Sequence, residues 1–342
     1  MAFRTFGTAP TGDRLARMER SPRFKDGVFQ NPEPTDLRLQ GASFGKVLRE
    51  FLFQKPKNTV PPRPLPSLKT DLGTLNGSHV VWFGHSSYYI RTPELTLAVD
   101  PVFSGNASPF SFFAKAFPGA NDYRPADLGD LDVLVLTHDH YDHLDYKTVV
   151  ALAPRVRVIV TALGVGAHLE YWGIPPEKII ELDLGESYSP RDGVRLTATP
   201  ARHFSGRSFK RNRTLWMSLV LEISGKRLFL GGDSGYGAHF AGIGKAYGPF
   251  DLAFLECGQY GVHWPFIHMF PEVIPQAARE LGAQAVLPVH WGKFSLSMHA
   301  WDEPIRRLVK AAESGPVLVT PRIGEAVPLD GPFPMERWWE GV

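Results

Sequence analysis

Four side chains that bind first-row metals fall within six residues: His138, His140, Asp142 and His143. Imidazole nitrogens and carboxylate oxygens are the donors a zinc-like divalent ion prefers. Just before them runs Leu131 to Leu136, an apolar stretch that reads as a short buried strand. On extended backbone, side chains two apart share a face, so His138 and His140 can grip one ion. If the chain then turns into a helix, Asp142 and His143 can reach a second ion. Solvated turns favour Gly, Asn, Ser and Pro, and these six residues contain none of them. The pattern H-x-H-x-D-H at the C-terminal end of a strand is also where open α/β sheets place their ligands.

Three further strand ends each add one ligand type: His203, Asp233 and His290. A simple division satisfies two metals. Metal one takes His138, His140 and His203, metal two takes Asp142, His143 and His290, and Asp233 bridges them. The glycines around Asp233 (Gly231, Gly232, Gly235) leave its backbone unhindered. A shared open position is what separates a catalytic site from a structural one. Two ions roughly 3.5–4 Å apart acidify water near neutral pH. The expected nucleophile is a metal-bound hydroxide, and no serine or cysteine is required.

The elements that must position these ligands alternate between strand and helix, which predicts α/β layering. Strands are expected at His79 to Phe83, Tyr88 to Arg91, Leu95 to Val99, Leu131 to Leu136, Val156 to Val160, Lys178 to Leu182, Val194 to Thr199, Leu215 to Ile223, Arg227 to Leu230, Asp251 to Leu255, Ala285 to Val289 and Val317 to Thr320. Helices are expected at Tyr146 to Leu152, Leu163 to Trp172 and Ile305 to Ala312, with a further helical face at Val273, Ile274, Ala277, Ala278 and Leu281. His85 and Asp100 also sit at strand ends, where they could support the ligands.

The chain has 342 residues, 43% of them hydrophobic, enough for one large α/β domain or two smaller ones. Lys plus Arg number 37 and Asp plus Glu 35, a net charge of +2 that gives no global basic excess for nucleic acid. The one cysteine, Cys257, cannot form an intrachain disulfide, which fits a reducing compartment. No run approaches the roughly 18 apolar residues of a membrane span, and the first thirty residues hold no signal-peptide core. Residues 1–70 read as an extension that packs on a 71–342 domain. Within it, Phe44, Val47, Leu48, Phe51 and Leu52 form one helical face behind Ser43, suited to the core or to a membrane surface. Lys55 to Pro66 carries five prolines and reads as a stiff linker. Phe103, Phe110, Phe112, Phe113 and Phe117 lie in a loop without strand or helix period, and could cap the core, line a groove or touch lipid. Arg207, Lys210, Arg211 and Arg213 make a local basic run that could bind phosphate.

The ordered set H-x-H-x-D-H, His203, Asp233, His290 resembles the metallo-β-lactamase superfamily. Within it the chain is most similar to the N-acyl-phosphatidylethanolamine-hydrolysing phospholipase D family, as a bacterial-type member. The matching strings are Phe29-Gln30-Asn31-Pro32, Trp82-Phe83-Gly84-His85, Asp100-Pro101-Val102-Phe103-Ser104, Thr137 to Tyr146, Gly232-Asp233-Ser234-Gly235-Tyr236, Gly248-Pro249-Phe250-Asp251-Leu252-Ala253, His268-Met269-Phe270-Pro271-Glu272 and His290-Trp291-Gly292-Lys293-Phe294. They span about 29 to 325. The resemblance implies an αββα sandwich, two mixed sheets flanked by helices, with the dimetal site at one edge. It implies two divalent ions, zinc first, with iron or manganese as alternatives. It implies a phospholipase D reaction that splits a phosphodiester between diacylglycerol phosphate and an N-acylethanolamine. By position, His268 resembles a family histidine near the reacting phosphate, and with Asp142 it is an expected catalytic residue.

The loop around Phe110 to Phe117 and the run Arg207 to Arg213 depart in detail from the animal enzymes, so the lipid itself does not carry over. Phe110, Phe113, Arg207 and Arg211 are the expected substrate-binding residues. The expected partner is a phospholipid or other phosphodiester, with no nucleic acid. The expected location is the cytoplasm, with peripheral contact to the inner membrane allowed. The alternative reading keeps the metals and changes the bond, to a lactone or another ester, as in ascorbate-6-phosphate lactonase-like proteins.

Overall fold

The computed structural model describes residues 2–37, 45, 49–50, 53–54, 56–207, 210–313 and 315–342. The apolar face expected at Phe44, Val47, Leu48, Phe51 and Leu52, with Ser43 before it, lies outside the described residues. The N-terminal segment carries a one-turn helix at Ala2–Thr5, a second helix at Gly12–Glu19 and a short hairpin, β1 (Phe24–Lys25) and β2 (Val28–Phe29).

Two seven-stranded mixed sheets follow. The first is built from β3 (His79–Trp82), β4 (Tyr88–Arg91), β5 (Thr96–Val99), β6 (Leu131–Leu136), β7 (Val156–Ala162) and β8 (Ile179–Leu182). The second is built from β9 (Ser187–Arg191), β10 (Val194–Thr199), β11 (Ser218–Ile223), β12 (Lys226–Leu230), β13 (Phe250–Glu256), β14 (Ala283–Val289) and β15 (Val317–Leu318). A last strand, β16 (Ala326–Pro328), crosses back to pair with β3, so the C-terminal segment closes the first sheet. Each half repeats one plan: an antiparallel meander, then parallel strands.

That plan follows from the sequence pattern. Parallel strands are covered on both faces and read as continuous apolar runs. β6 is LDVLVL and β13 is FDLAFLE, each with one half-buried aspartate in an otherwise buried run. The sheets pack face to face. Tyr88 of β4 stacks on Phe254 of β13, with centroids 4.1 Å apart and planes within 7°. Trp82 of β3 stacks on Trp291 just after β14 at 5.5 Å. Cutting a fully buried leucine such as Leu134 back to alanine in this layer costs about 2–5 kcal/mol, so the strands that carry the ligands are held rigidly. Helices Ile274–Leu281 and His239–Tyr247 pack together beside the second sheet, and the first of them also packs on β13 and β14.

Because β5 and β6 are parallel, and β12, β13 and β14 are parallel, their C-terminal ends share one edge of the sandwich. β10 runs the same way as β12, being two antiparallel steps removed. The fold therefore delivers Asp100, the His138 cluster, His203, Asp233, Glu256 and His290 to one place.

Candidate metal centre

Each ligand candidate stands on the loop or turn just past a strand. His85 lies in the β3–β4 turn, Asp100 one residue past β5, the His138–His143 cluster after β6, His203 after β10, Asp233 after β12 and His290 one residue past β14. Three of these have left-handed backbone: His85 (φ 54°), Asp100 (φ 42°) and His290 (φ 67°). Such conformations in non-glycine residues cost about 1–3 kcal/mol each and persist only where the surroundings over-determine them. Here the backbones of His85 and His290 lock the two halves together. His85 N–H donates to Trp291 O at 2.8 Å, and His290 N–H donates to His85 O at 3.0 Å. Gly232 (φ 59°) allows the close approach expected beside Asp233, since a Cβ there would lie 3.1 Å from Met217 O and 3.2 Å from the Thr137 side chain.

The seven predicted ligand residues converge in two groups. His138 Nε2 and His203 Nε2 lie 2.9 and 3.2 Å from His140 Nδ1, and 3.8 and 3.6 Å from Asp233 Oδ2. In the second group Asp142 Oδ2 lies 2.9 Å from His85 Nε2, 3.4 Å from His290 Nε2 and 3.7 Å from His143 Nε2. Asp233 faces this group as well, 3.2 Å from His143 Nε2 and 3.1 Å from His290 Nε2. Each group brings four ligand atoms within 4.8 Å of one another. His143 Nε2 and Asp233 Oδ1 are buried and without a hydrogen-bond partner among the described residues. A buried donor–acceptor pair that converges without bonding is costly, and cations between these atoms would satisfy both. The donor set therefore fits a pair of divalent ions. His85 is an addition to the expected division, standing on Asp142.

Groups behind the ligands fix their orientation, as metal sites require. Asp100 accepts from Thr137 N at 2.8 Å and pairs with His143 Nδ1 at 2.7 Å, leaving Nε2 to face the centre. His203 Nδ1 donates to Ile267 O at 2.9 Å. His290 Nδ1 lies 3.3 Å from Gly258 O and 3.4 Å from Glu256 Oε2. Asn31, from the N-terminal segment, clamps the His203 backbone by donating to its carbonyl at 2.7 Å and accepting its N–H at 3.1 Å. Asp139, between His138 and His140, is buried and accepts from Gly206 N at 2.6 Å and Thr214 Oγ1 at 2.9 Å.

Burial holds the His138, His140 and His203 imidazoles below their usual proton affinity; neighbouring imidazoles reinforce this at His138 and His203, against the nearby carboxylates. Burial also lowers His85, to about 3. His143 and His290 go the other way. Burial opposes their charge, but Asp233 and Asp142 outweigh it and raise both, His290 to about 10. Asp142 and Asp233 are held well below the usual carboxylate range, where neighbouring histidines, His143 first, overcome burial.

A cavity of about 480 Å³ opens in front of the centre. His140, Asp142, Asp233, His268 and His290 line one side, and Phe204, Trp264, Ile267 and Leu296 supply apolar wall. Of the predicted substrate-binding residues, Arg211 lines this cavity, its guanidinium over the Phe204 ring. One expectation is corrected. Arg207 is 4% exposed and points inward, donating to the carbonyls of Asp139, Leu144 and Thr5 at 2.7–3.1 Å. A guanidinium carries five donors, and these backbone acceptors take four of them, pinning the N-terminal segment to the ligand loop. Phe110 and Phe113 do not line the cavity: they are 48% and 53% exposed, with Phe110 against Phe6 and Phe112. Phe103 and Phe117 of the same loop are core residues.

Sequence reasoning missed Glu256, a buried acid at the end of β13 that holds His268. A glutamate closing the apolar run Phe250 to Leu255 was the available signal. It also missed Gln259, which lines the cavity, and the clamp by Asn31.

The family profile described as "Beta-lactamase superfamily domain" matches residues 96–291. The chain belongs to the beta-lactamase superfamily. Among the relatives of this superfamily member, an uncharacterised protein of Mycobacterium tuberculosis is 38% identical over 94% of this chain and 88% of its own length. The N-acyl-phosphatidylethanolamine-hydrolyzing phospholipase D 1 of Caenorhabditis elegans is 31% identical over 66% of this chain and 67% of its own length. Among solved structures, Igni18, a metallo hydrolase of Ignicoccus hospitalis, matches with a TM-score of 0.57 at 20% identity, over 73% of this chain and 97% of that one, and shares the fold.

Proposed function

We propose that this metal-dependent hydrolase of the metallo-β-lactamase fold cleaves phosphodiesters of amphipathic, phospholipid-like substrates. The observation that carries the reading is the cavity, which sets a dimetal ligand set and His268 against an apolar wall, with Arg211 at its side. A phosphodiester with an acyl tail has the matching division of polar and apolar parts. The 31% identity to the Caenorhabditis elegans phospholipase supports the same bond class.

His138, His140, His203 and Asp233 would hold one ion, and Asp142, His143, His290 and Asp233 the other. Bound divalent ions supply Lewis acidity, which polarises a phosphoryl oxygen and lowers the pKa of water. The chain's own residues do the rest. His268 faces the cavity and donates a proton to the leaving oxygen. Arg211 and Gln259 contact the phosphate or headgroup, and Trp264, Ile267 and Leu296 exclude water around the chain nearest the reacting phosphorus. Among the described residues no helix is long and apolar enough to cross a membrane. The exposed aromatic loop, with Phe112 at 76% and Phe113 at 53% exposure, would meet the lipid surface that presents the substrate.

The test is turnover of N-acyl-phosphatidylethanolamine in mixed micelles by the purified, zinc-supplemented chain. Release of phosphatidic acid, abolished by His140→Ala, supports the reading. Hydrolysis of lactones or carboxylic esters with no phosphodiester cleaved would overturn it.

A further inference from the structure

Behind His268 stands a carboxylate that the reaction outlined above does not use. Glu256 is the last residue of β13, 1% exposed and absent from the cavity wall. Its Oε2 lies 2.7 Å from His268 Nδ1 and 3.4 Å from His290 Nδ1, whose hydrogen also has the Gly258 carbonyl as acceptor, and its Oε1 accepts the Met269 N–H at 2.7 Å. Both oxygens thus face hydrogen-bond donors on adjacent residues. The His268 ring lies between those of His203 and His290, with centroids 5.0 Å from each and within 19° of parallel to His290. The ring is thereby held in position, and the one remaining freedom is which nitrogen carries the hydrogen.

We infer that Glu256 is a positioning residue that keeps the hydrogen on His268 Nδ1 and so reserves Nε2 for the substrate's leaving oxygen. The inference rests on the phosphodiesterase reading. The carboxylate has no donor of its own, so His268 must donate to it through Nδ1. Nε2 then carries the ring's second proton, the one that is given to the leaving oxygen and regained, while the first stays on Nδ1. Water adds its oxygen to phosphorus as the bond from phosphorus to the alcohol oxygen breaks. The bonding pair leaves with that oxygen, the Nε2 proton joins it, and the proton displaced from water restores Nε2–H over the cycle. The products are a phosphomonoester and a free alcohol.

Glu256→Gln is a sharp probe because an amide has one acceptor and one donor end. The Met269 N–H cannot become an acceptor, so it takes the amide oxygen. The amide NH₂ then faces His268 and forces Nδ1 to accept, moving the hydrogen to Nε2. The imidazole becomes a poor proton donor in an almost unchanged cavity.

The experiment compares wild type, Glu256→Gln, His268→Ala and the double variant on an alkyl phosphodiester and on bis-p-nitrophenyl phosphate, with metal content and melting temperature measured on each. Ring nitrogen NMR shifts of His268 are recorded alongside. The expected result is a kcat loss of about 10²-fold on the alkyl ester, KM within about twofold, and a much smaller loss on the activated aryl ester, whose leaving group needs no proton. Glu256→Gln adds nothing in the His268→Ala background, and the NMR shifts move the hydrogen from Nδ1 to Nε2. Equal losses on both esters, a loss that persists without His268, or a third metal equivalent lost on removing Glu256 would overturn the inference. If no phosphodiester is turned over, the functional reading fails, and the NMR shifts alone decide whether Glu256 sets the tautomer.

Discussion

The two ligand groups share Asp233 yet hold protons in opposite ways. Around His138, His140 and His203, burial and imidazole neighbours outweigh the carboxylates and keep all three rings neutral. Around His143 and His290, two carboxylates of the group itself raise both rings, so without metal they carry protons at neutral pH. The difference comes from where the acids stand. Asp142 points at the second group, and Asp100 backs His143 alone. One pocket is ready to coordinate, while the other must first give up protons.

The largest effect is expected where the groups meet. Asp233→Asn removes the charge that faces both, and should cost at least about 10³-fold in turnover while lowering the metal content of both positions. Retention of both ions would break the idea of a shared bridge. Next, the groups should separate with pH. Each proton displaced on binding weakens the ion's apparent affinity roughly tenfold per pH unit. With His290 raised to about 10, this dependence runs through the neutral range and below. Metal analysis after dialysis from pH 8 down to pH 5.5 should show the second equivalent leaving first. Simultaneous loss would erase the distinction.

The same shift has an opposite sign for folding. A histidine raised in the folded state contributes stability that is full below its unfolded value near 6.5 and is lost as pH rises toward 10. The metal-free chain should therefore melt lower at pH 9 than at pH 7, and His290→Ala should flatten that slope. Calorimetry with a chelator present checks it.

Smaller still, Asp100→Asn leaves the shape but weakens the support of His143. It should cut affinity for the second ion about 10–100-fold and spare the first, as read by competition with a chromophoric chelator. The smallest effect belongs to the cavity rim: Arg211→Ala should raise KM for a phospholipid a few-fold with kcat and metal content unchanged.

Much of this was legible in the sequence for one physical reason. Buried strands such as β6 and β13 are apolar runs, and polar ligand types right after them stand out. His138, His140, Asp142 and His143 could be read together because one loop carries them, and His203, Asp233 and His290 because each ends a run. Edge strands escaped. β9 is SYSPR, half-exposed, and β16 is three residues whose partner lies across the sandwich. The helix Gly12–Glu19 escaped because Met18 is its one buried residue. Arg207 misled for a related reason. A run of arginines and lysines looks solvated, and nothing local shows that three distant carbonyls will take one guanidinium inside. Pairings across the fold, Glu256 with His268 and Asn31 with His203, are fixed by topology rather than by neighbouring sequence.

The central claim is that seven side chains hold a working pair of ions. Elemental analysis and bis-p-nitrophenyl phosphate turnover on one zinc-reconstituted sample test it most directly. The account predicts two equivalents per chain, with turnover rising as the second binds, and at most one equivalent without turnover in His290→Ala. A chain that takes up less than one equivalent at every pH, or that turns over unchanged when His203, Asp233 and His290 are replaced, would contradict it.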